Sequence, residues 1–412
     1  MSNYTAKDIE VLDIIEAIRL RPSMYVGSAD ENAVAQCVLE IISNSVDEAM
    51  NGYGKRIEIS ATPTLYCQRD YGRGIPFDIK EGETESILLS ILTKAHSGGK
   101  FDGHNYASGA GGLHGLGTKC ANALSKHFKC ISYRDKKCAI AEFKCGKLVN
   151  FEEKSTNEPN GTYIEFSIDE TIIDNAEFDI ERIEQQVKEL SFLVSGIEFK
   201  VNDKIFFSKD GVKDFIKDKV DNNITNITCI HAVEPDFTTD IAFTYTKDST
   251  EKIYAYANNI PNADGGTHIT GAKTALTTQL NNLAKAKGLI KENLSGEALR
   301  RGIVMIVSVK MKETPAFTSQ NKTKLNNPIA RTRVSAAITN NLVNALSAAD
   351  LEKIIKKALV EQKAEEAANR AREAAEKIKS GGKSINALKD LPSKLADCSG
   401  SVGCELFLCE GE

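Results

Sequence analysis

Glu40, Asn44 and Asp47 fall at i, i+4 and i+7 of a segment with helical periodicity, so they share one face. The amide oxygen of Asn44 suits Mg2+, which prefers oxygen ligands and keeps sites for phosphates and water. Glu40, one turn away, could orient or deprotonate a water. A second group, Asp70-Tyr71-Gly72-Arg73-Gly74-Ile75-Pro76, directly follows a strand pattern. A carboxylate there can accept a hydrogen bond from an exocyclic amine, as in adenine, and two glycines let backbone approach a flat ring. A third is the loop His96-Ser97-Gly98-Gly99-Lys100-Phe101 with Ser108-Gly109-Ala110-Gly111-Gly112-Leu113-His114-Gly115-Leu116-Gly117-Thr118. Its backbone N–H groups, opening onto a helix N-terminus, suit phosphate. Gly112 to Lys119 nearly imitates a P-loop, but the last pair reads Thr118-Lys119 and the strand context fails, which excludes one. His114 is either a general base or a structural loop histidine. The fourth, Gln320-Asn321-Lys322-Thr323-Lys324-Leu325, offers a lysine that could reach a γ-phosphate and stabilise developing charge. Taken singly, each group has an ordinary alternative: a solvated acidic helix face, a glycine turn, a structural loop, a basic surface loop.

These residues must be positioned by helices and strands. Periodicity predicts a helix over 11–20, a turn at Arg21-Pro22-Ser23, and a helix over 33–50. On the latter, Leu39, Ile42, Val46 and Ala49 form an apolar arc opposite Glu40, Asn44 and Asp47. Strands are expected at 57–60 and 64–69, joined by a turn at Pro63, and several short ones over 128–167. Helices at 118–124 and 176–195 and a strand at 197–201 complete an α+β layer sandwich with a mostly antiparallel sheet. Ser208-Lys209-Asp210-Gly211 marks a boundary. A second α+β unit follows, with strands near 229–233, 240–245, 252–258 and 303–311 and a helix over 269–286. Residues 329–379 read as helical; from 351 on the mixed charge signs read as a solvated long helix, with a DNA-contacting one as the alternative, and Ser380-Gly381-Gly382 breaks the run before a terminal strand at 405–409.

With 412 residues, 41% hydrophobic and 26% charged, the chain has the make-up of a folded protein of two or three domains. No apolar run approaches the length of a membrane span, and no signal segment opens the sequence. Lys plus Arg is 52 and Asp plus Glu is 57, which excludes a wholesale basic nucleic-acid binder but not a local basic stripe. The ten cysteines include no C-x-x-C pair, and even Cys398, Cys404 and Cys409 are spaced too widely for a zinc knuckle. Free thiols in a reducing cytoplasm are expected.

The order and spacing of the groups carry more than any one of them. Glu40-x-x-x-Asn44, Asp70-x-Gly72-x-Gly74, Gly112-Leu113-His114-Gly115-Leu116-Gly117 and Gly161-Thr162 resemble the four-box ATP site of the GHKL superfamily. Arg21-Pro22-Ser23-Met24-Tyr25-Val26-Gly27, Asn44-Ser45-Val46-Asp47-Glu48-Ala49 and Gly98-Gly99-Lys100-Phe101 narrow the resemblance to the B subunits of bacterial gyrase and topoisomerase IV. So do Asp264-Gly265-Gly266-Thr267-His268, Lys322-Thr323-Lys324-Leu325 and Lys394-Leu395-Ala396-Asp397-Cys398.

The resemblance implies an α+β chain: a GHKL (Bergerat) ATPase sandwich over 1–210, with an N-terminal dimerisation arm, then a ribosomal-protein-S5-like transducer over 211–380. Residues 381–412 would be a linker and the start of a Toprim domain, with Glu410 at that domain's metal site in a longer subunit. DNA cleavage would then need the rest of that domain and the partner subunit's tyrosine. ATP and Mg2+ are the implied cofactors, with Glu40 as general base and Asn44 on Mg2+. Asp70 would read the adenine amine with Thr162 beside it, and Lys100, Gly115, Leu116 and Gly117 would bind phosphates. Asp47, Gly74, Ile75, Gly112, Leu113, His114 and Gln320 join the ATP contacts. Tyr106 matches a lid tyrosine, Tyr4 an arm tyrosine that enters the partner chain's site, and Lys322 a γ-phosphate sensor. Arg73, Pro76 and Arg134 match aminocoumarin-binding positions. Implied partners are a second copy of the chain, double-stranded DNA and a DNA-cleaving A-type subunit, with no membrane. There are departures: Tyr71, expected to face the adenine region, stands where Asp or Asn is usual; Ser23 replaces Gly and Asn321 replaces Thr; and Ser108-Gly109-Ala110-Gly111 is one residue long. A clamp without DNA cleavage, a histidine kinase and a nucleotide-binding pseudoenzyme are the competing expectations. The Toprim-like end, the missing phosphoacceptor helix and the intact Glu40, Asn44 and Lys322 weigh against them in turn.

Overall fold

Alternating burial along Arg56–Ala61 (β1) and Tyr66–Asp70 (β2) makes an antiparallel hairpin with one face inward. The computed structural model describes residues 12–95, 97, 115–319 and 322–380. In the first lobe β1 and β2 join β3 (Ser125–Arg134), β4 (Lys137–Lys144), β5 (Lys147–Ser155), β6 (Gly161–Ile168), β7 (Glu198–Val201) and β8 (Lys204–Phe206). The eight-stranded order is β5-β4-β3-β6-β2-β1-β7-β8, antiparallel except for the β1–β7 pair. The short strands expected over 128–167 are instead long ones, of 8 to 10 residues. β3, β4 and β5 are joined by two-residue turns at Asp135-Lys136 and Cys145-Gly146, every residue of which has positive φ. Such turns match strand twist but usually announce themselves as Asn-Gly, a signal absent here.

The helix Glu31–Met50 lies on the inner face, capped by Asp30, whose carboxylate accepts from the Asn32 N–H. Its burial is wider than the arc expected: Ala33, Cys37, Val38 and Ile41 are buried, and so is Asp47 on the polar side. Neighbours on several sides cause this, among them the helix Gly117–Ala123 and the sheet itself. The expected turn at 21–23 is followed by a one-turn helix, Ser23–Val26, and the helix Ile87–Thr93 is an element the sequence reading did not anticipate.

The second lobe has β9 (Thr228–Glu234), β10 (Phe237–Tyr245), β11 (Lys252–Ala257), β12 (Ile260–Pro261) and β13 (Ile303–Met311). Their order is β12-β11-β13-β10-β9, with β11 and β13 parallel. Behind them pack Thr267–Ala286 and Pro328–Ala345. The single helix expected over 329–379 is two, Pro328–Ala345 and Ala348–Ser380. The chain is extended at Leu346, and the Ser347 hydroxyl accepts from the Asp350 N–H, a cap legible as Ser-x-x-Asp. Between the lobes Phe215, in the unanticipated helix Val212–Lys219, packs edge-on against Phe192 at 5.7 Å and Tyr254 at 5.0 Å. The first core cluster thereby runs into Ala242, Tyr256, Val304 and Ile306 of the second sheet.

All seven described cysteines carry free thiols, as expected; Cys398, Cys404 and Cys409 and the 405–409 strand lie outside the described residues. Among the described residues no helix is long and apolar enough to cross a membrane.

His268 is fully buried near the start of Thr267–Ala286, and neither ring nitrogen has a partner among the described residues. Burial pushes its pKa down from 6.5 to about 4. Between those values the unfolded chain takes up a proton that the folded chain refuses, so stability falls as pH drops through this window. The expected loss is about 3 kcal/mol from this group alone. Urea midpoints at pH 7 and pH 4 should show His268→Leu relieved of that part of the acid sensitivity.

Candidate active site

The inward face of β2 presents Tyr66, Gln68 and Asp70 in alternation, all buried. They form one chain of hydrogen bonds. The Tyr66 hydroxyl donates to Gln68 Oε1 at 2.6 Å, Gln68 Nε2 to Ser45 Oγ at 2.7 Å, and Ser45 Oγ to Asp70 Oδ2 at 2.8 Å. The N–H groups of Gly72 and Thr162 both donate to Asp70 Oδ1 at 3.0 Å. Burial raises the carboxyl above the usual Asp range, and these three bonds act against it by favouring the charged form. Gly161 makes the close approach possible: φ is +142° there, and a Cβ would stand 2.1 Å from the Asp70 carbonyl oxygen.

Across from Asp70, the Glu31–Met50 helix turns Glu40 and Asn44 toward the start of Gly117–Ala123. Asn44 Nδ2 donates to Thr118 Oγ1 at 3.1 Å. A Cβ on Gly117 would lie 2.5 Å from Glu40 Oε2, so only glycine fits there with Glu40 in this position. Gln36 Nε2 donates to Glu40 Oε1 at 3.0 Å. Lys322 reaches in from the second lobe, its Nζ donating to the same Oε1 at 2.9 Å. The side chains of this pair are 10% and 18% exposed, far more shielded than a surface ion pair. Asp47 is buried at 2% and is therefore no solvated acid.

Lys119, set aside by the sequence reading, is buried and donates to the carbonyls of Gly115 and of Ser97, the latter at 3.2 Å. Burial lowers its pKa to about 8.

The segment after β2 is held on both sides. Arg73 grips Glu48 in a two-pronged pair, with Nε–Oε2 and Nη2–Oε1 both 2.9 Å, and lies 4.3 Å over the Tyr53 ring. Arg134 Nη1 donates to the Gly74 carbonyl at 3.2 Å and Ser132 Oγ to the Ile75 carbonyl at 2.6 Å. Pro76 is half-buried beside them. The expectation for Tyr71 is corrected. Strand alternation turns its ring away from Asp70, onto the guanidinium of Arg69 at 5.0 Å, with its hydroxyl donating to Glu58 Oε2 at 3.3 Å.

Glu40, Asn44, Asp47, Asp70, Gly74, Ile75, Gly115, Leu116, Gly117, Thr162 and Lys322 are therefore described. Tyr4, Lys100, Tyr106, Gly112, Leu113, His114, Gln320 and Glu410 lie outside the described residues. Sequence reasoning missed Ser45, Gln68 and Gln36. The polar Gln68 on the buried phase of β2 was the available signal for the first two; Gln36 had only its place four residues before Glu40. No group of three or more His, Cys, Asp or Glu able to hold a metal ion exists among the described residues.

Residues 29–172 match a family model described as histidine kinase-, DNA gyrase B-, and HSP90-like ATPase, and residues 211–374 match one described as DNA gyrase B. The chain is 38% identical over 431 residues to the B subunit of DNA topoisomerase 4 from Mycoplasma capricolum, covering 99% of this chain and 66% of that protein. It is 34% identical over 436 residues to the B subunit of DNA gyrase from Thermotoga maritima, covering 100% of this chain and 68% of that protein. It thus spans about two thirds of the length of these curated relatives. Among solved structures, the 43K ATPase domain of Thermus thermophilus gyrase B, in complex with an aminocoumarin, superposes with a TM-score of 0.72 at 30% identity. That match covers 88% of this chain and 98% of the other. The ATPase region of Saccharomyces cerevisiae topoisomerase II shares the fold, with a TM-score of 0.65 at 18% identity over 82% of this chain and 98% of that one.

Proposed function

The chain belongs to the family of B subunits of bacterial-type type IIA DNA topoisomerases, and from that premise we propose that it is an ATP-driven gate that closes on DNA. Its fold is the GHKL ATPase sandwich followed by the S5-like transducer. We place the boundary between them near residue 210, with the transducer running to about 380 and a Toprim start beyond.

One observation carries the gate reading. Glu40 and Lys322, 282 positions apart, meet at 2.9 Å across the two lobes. Glu40 is the general base, taking the proton of the attacking water at its carboxylate. Lys322 leaves Glu40 for the γ-phosphate when ATP is present, so the nucleotide's third phosphate is read by the second lobe. Asp70 accepts from the adenine amine, with Thr162 beside it, and Gly74 and Ile75 offer backbone to the ring. Gly115, Leu116 and Gly117 offer N–H groups to phosphates at the start of their helix.

The donor set also fits Mg2+. Oxygen ligands suit it, and the Asn44 amide nitrogen is engaged on Thr118, so a cation would meet the amide oxygen. Bound there, Mg2+ would supply charge neutralisation to the phosphates.

ATP binding favours a closed dimer of two chains, in which Tyr4 of each arm enters the other's site, and hydrolysis reopens it. Double-strand passage is carried out with an A-type subunit. ATP turnover per chain, measured against protein concentration with Mg2+ and without DNA, tests this. Specific activity is expected to rise with concentration as dimers complete the site. A flat, measurable activity that persists where sizing with a non-hydrolysable ATP analogue finds monomers would overturn the dimer gate. No turnover at any concentration would favour a nucleotide-binding pseudoenzyme.

A further inference from the structure

Lys322 holds a left-handed backbone, with φ +59°. A long side chain adopts that conformation only where its surroundings impose it. The surroundings here are the turn that follows β12. The Asp264 N–H donates to the Thr323 carbonyl at 2.9 Å, the Leu325 N–H to the Gly265 carbonyl at 3.1 Å, and the Thr267 N–H to the Leu325 carbonyl at 3.0 Å. These main-chain bonds dock the loop just beyond Lys322, whose own N–H donates to the Ser319 carbonyl at 3.1 Å. Its carbonyl is held by a side chain, Asn262, whose Nδ2 donates to it at 2.8 Å.

Asn262 is itself rigid and buried. It is 2% exposed, its N–H donates to the Ala255 carbonyl at 2.8 Å, and its carbonyl accepts from the Gly265 N–H at 2.8 Å. Its side-chain oxygen has no partner among the described residues. A buried amide with its acceptor unmet costs free energy that an apolar side chain of similar size would avoid. What the amide provides in return is its donor, and that donor is spent on Lys322. The same hairpin also touches the helix of Glu40, through Asn259 Nδ2 at 3.2 Å from Met50 Sδ.

We infer that Asn262 is a positioning residue for ATP turnover: it fixes the left-handed backbone from which the Lys322 ammonium reaches Glu40 and, on ATP binding, the γ-phosphate. The inference rests on the proposed reading of Lys322. Its effect belongs to the third phosphate alone and not to the rest of the nucleotide.

The test is the ratio of the Kd for ADP to the Kd for a non-hydrolysable ATP analogue, measured on the full chain with Mg2+. Asn262→Ala is expected to lower this ratio about tenfold with the Kd for ADP unchanged, the size expected of one hydrogen bond. Asn262→Leu keeps a similar volume, removes the donor and leaves no side-chain polar atom unmet, so it should do the same even if the alanine variant folds poorly. In a Lys322→Ala background, neither change should lower the ratio further, because both act through one group. A wild-type ratio in both variants, an equal drop in the Lys322→Ala background, or a parallel loss of ADP affinity would each overturn the assignment. A wild-type ratio in Lys322→Ala alone would instead overturn the sensor reading of Lys322, and this inference with it.

Discussion

Glu40→Ala is expected to lower ATP turnover about 100- to 10,000-fold while ATP still binds, the range that a positioned general base contributes. The geometry makes the two effects separable. Glu40 is bonded to Gln36 and Lys322 and lies against Gly117, whereas Asp70 is held by Ser45, Gly72 and Thr162 and shares none of these bonds. Removing the carboxylate also leaves Lys322 without the pairing it has here, so its ammonium is available to a phosphate. Affinity for a non-hydrolysable ATP analogue should therefore hold or tighten. Steady-state turnover and equilibrium binding on one preparation check both halves. Wild-type turnover in Glu40→Ala would remove Glu40 as the base, and a loss of binding equal to the loss of turnover would make it a binding residue.

Asp70→Asn is expected to weaken ATP binding about 10- to 100-fold, the effect of losing a hydrogen bond to a charged acceptor. The carboxylate is purely an acceptor, and it already takes three bonds from Ser45, Gly72 and Thr162. An amide of the same shape would set its NH2 against those donors or against the adenine amine. Wild-type protein should prefer ATP over inosine triphosphate, which lacks that amine, and Asp70→Asn should lose the preference. The raised carboxyl adds a direction to the pH dependence: adenine recognition should weaken at a less acid pH than an ordinary exposed Asp would predict. A thermal midpoint close to wild type is the control that separates recognition from folding. Retained discrimination in Asp70→Asn would assign the adenine contact elsewhere.

What the sequence determined by itself was local. The helix over 33–50 was legible because apolar spacing reports backbone period, and that period placed Glu40, Asn44 and Asp47 on one side. The strand ending at Asp70 was legible for the same reason, and the order of the motifs pointed to the family. Some misses were local as well. Tyr71 on the far face follows from strand alternation, and the break at Leu346 was written as Ser347-x-x-Asp350. The tertiary structure alone decided the rest. Asp47 is buried although it lies on the polar side of its helix, which no periodicity reports. Ser45 and Gln68 join Asp70 only when the helix is laid on β2. Above all, Lys322 meets Glu40 because the second lobe, fastened at Phe215, brings a docked loop back across the first. Periodicity records how a chain turns over a few residues. A contact between residues 282 positions apart depends on how finished layers pack, and that is a property of the whole fold.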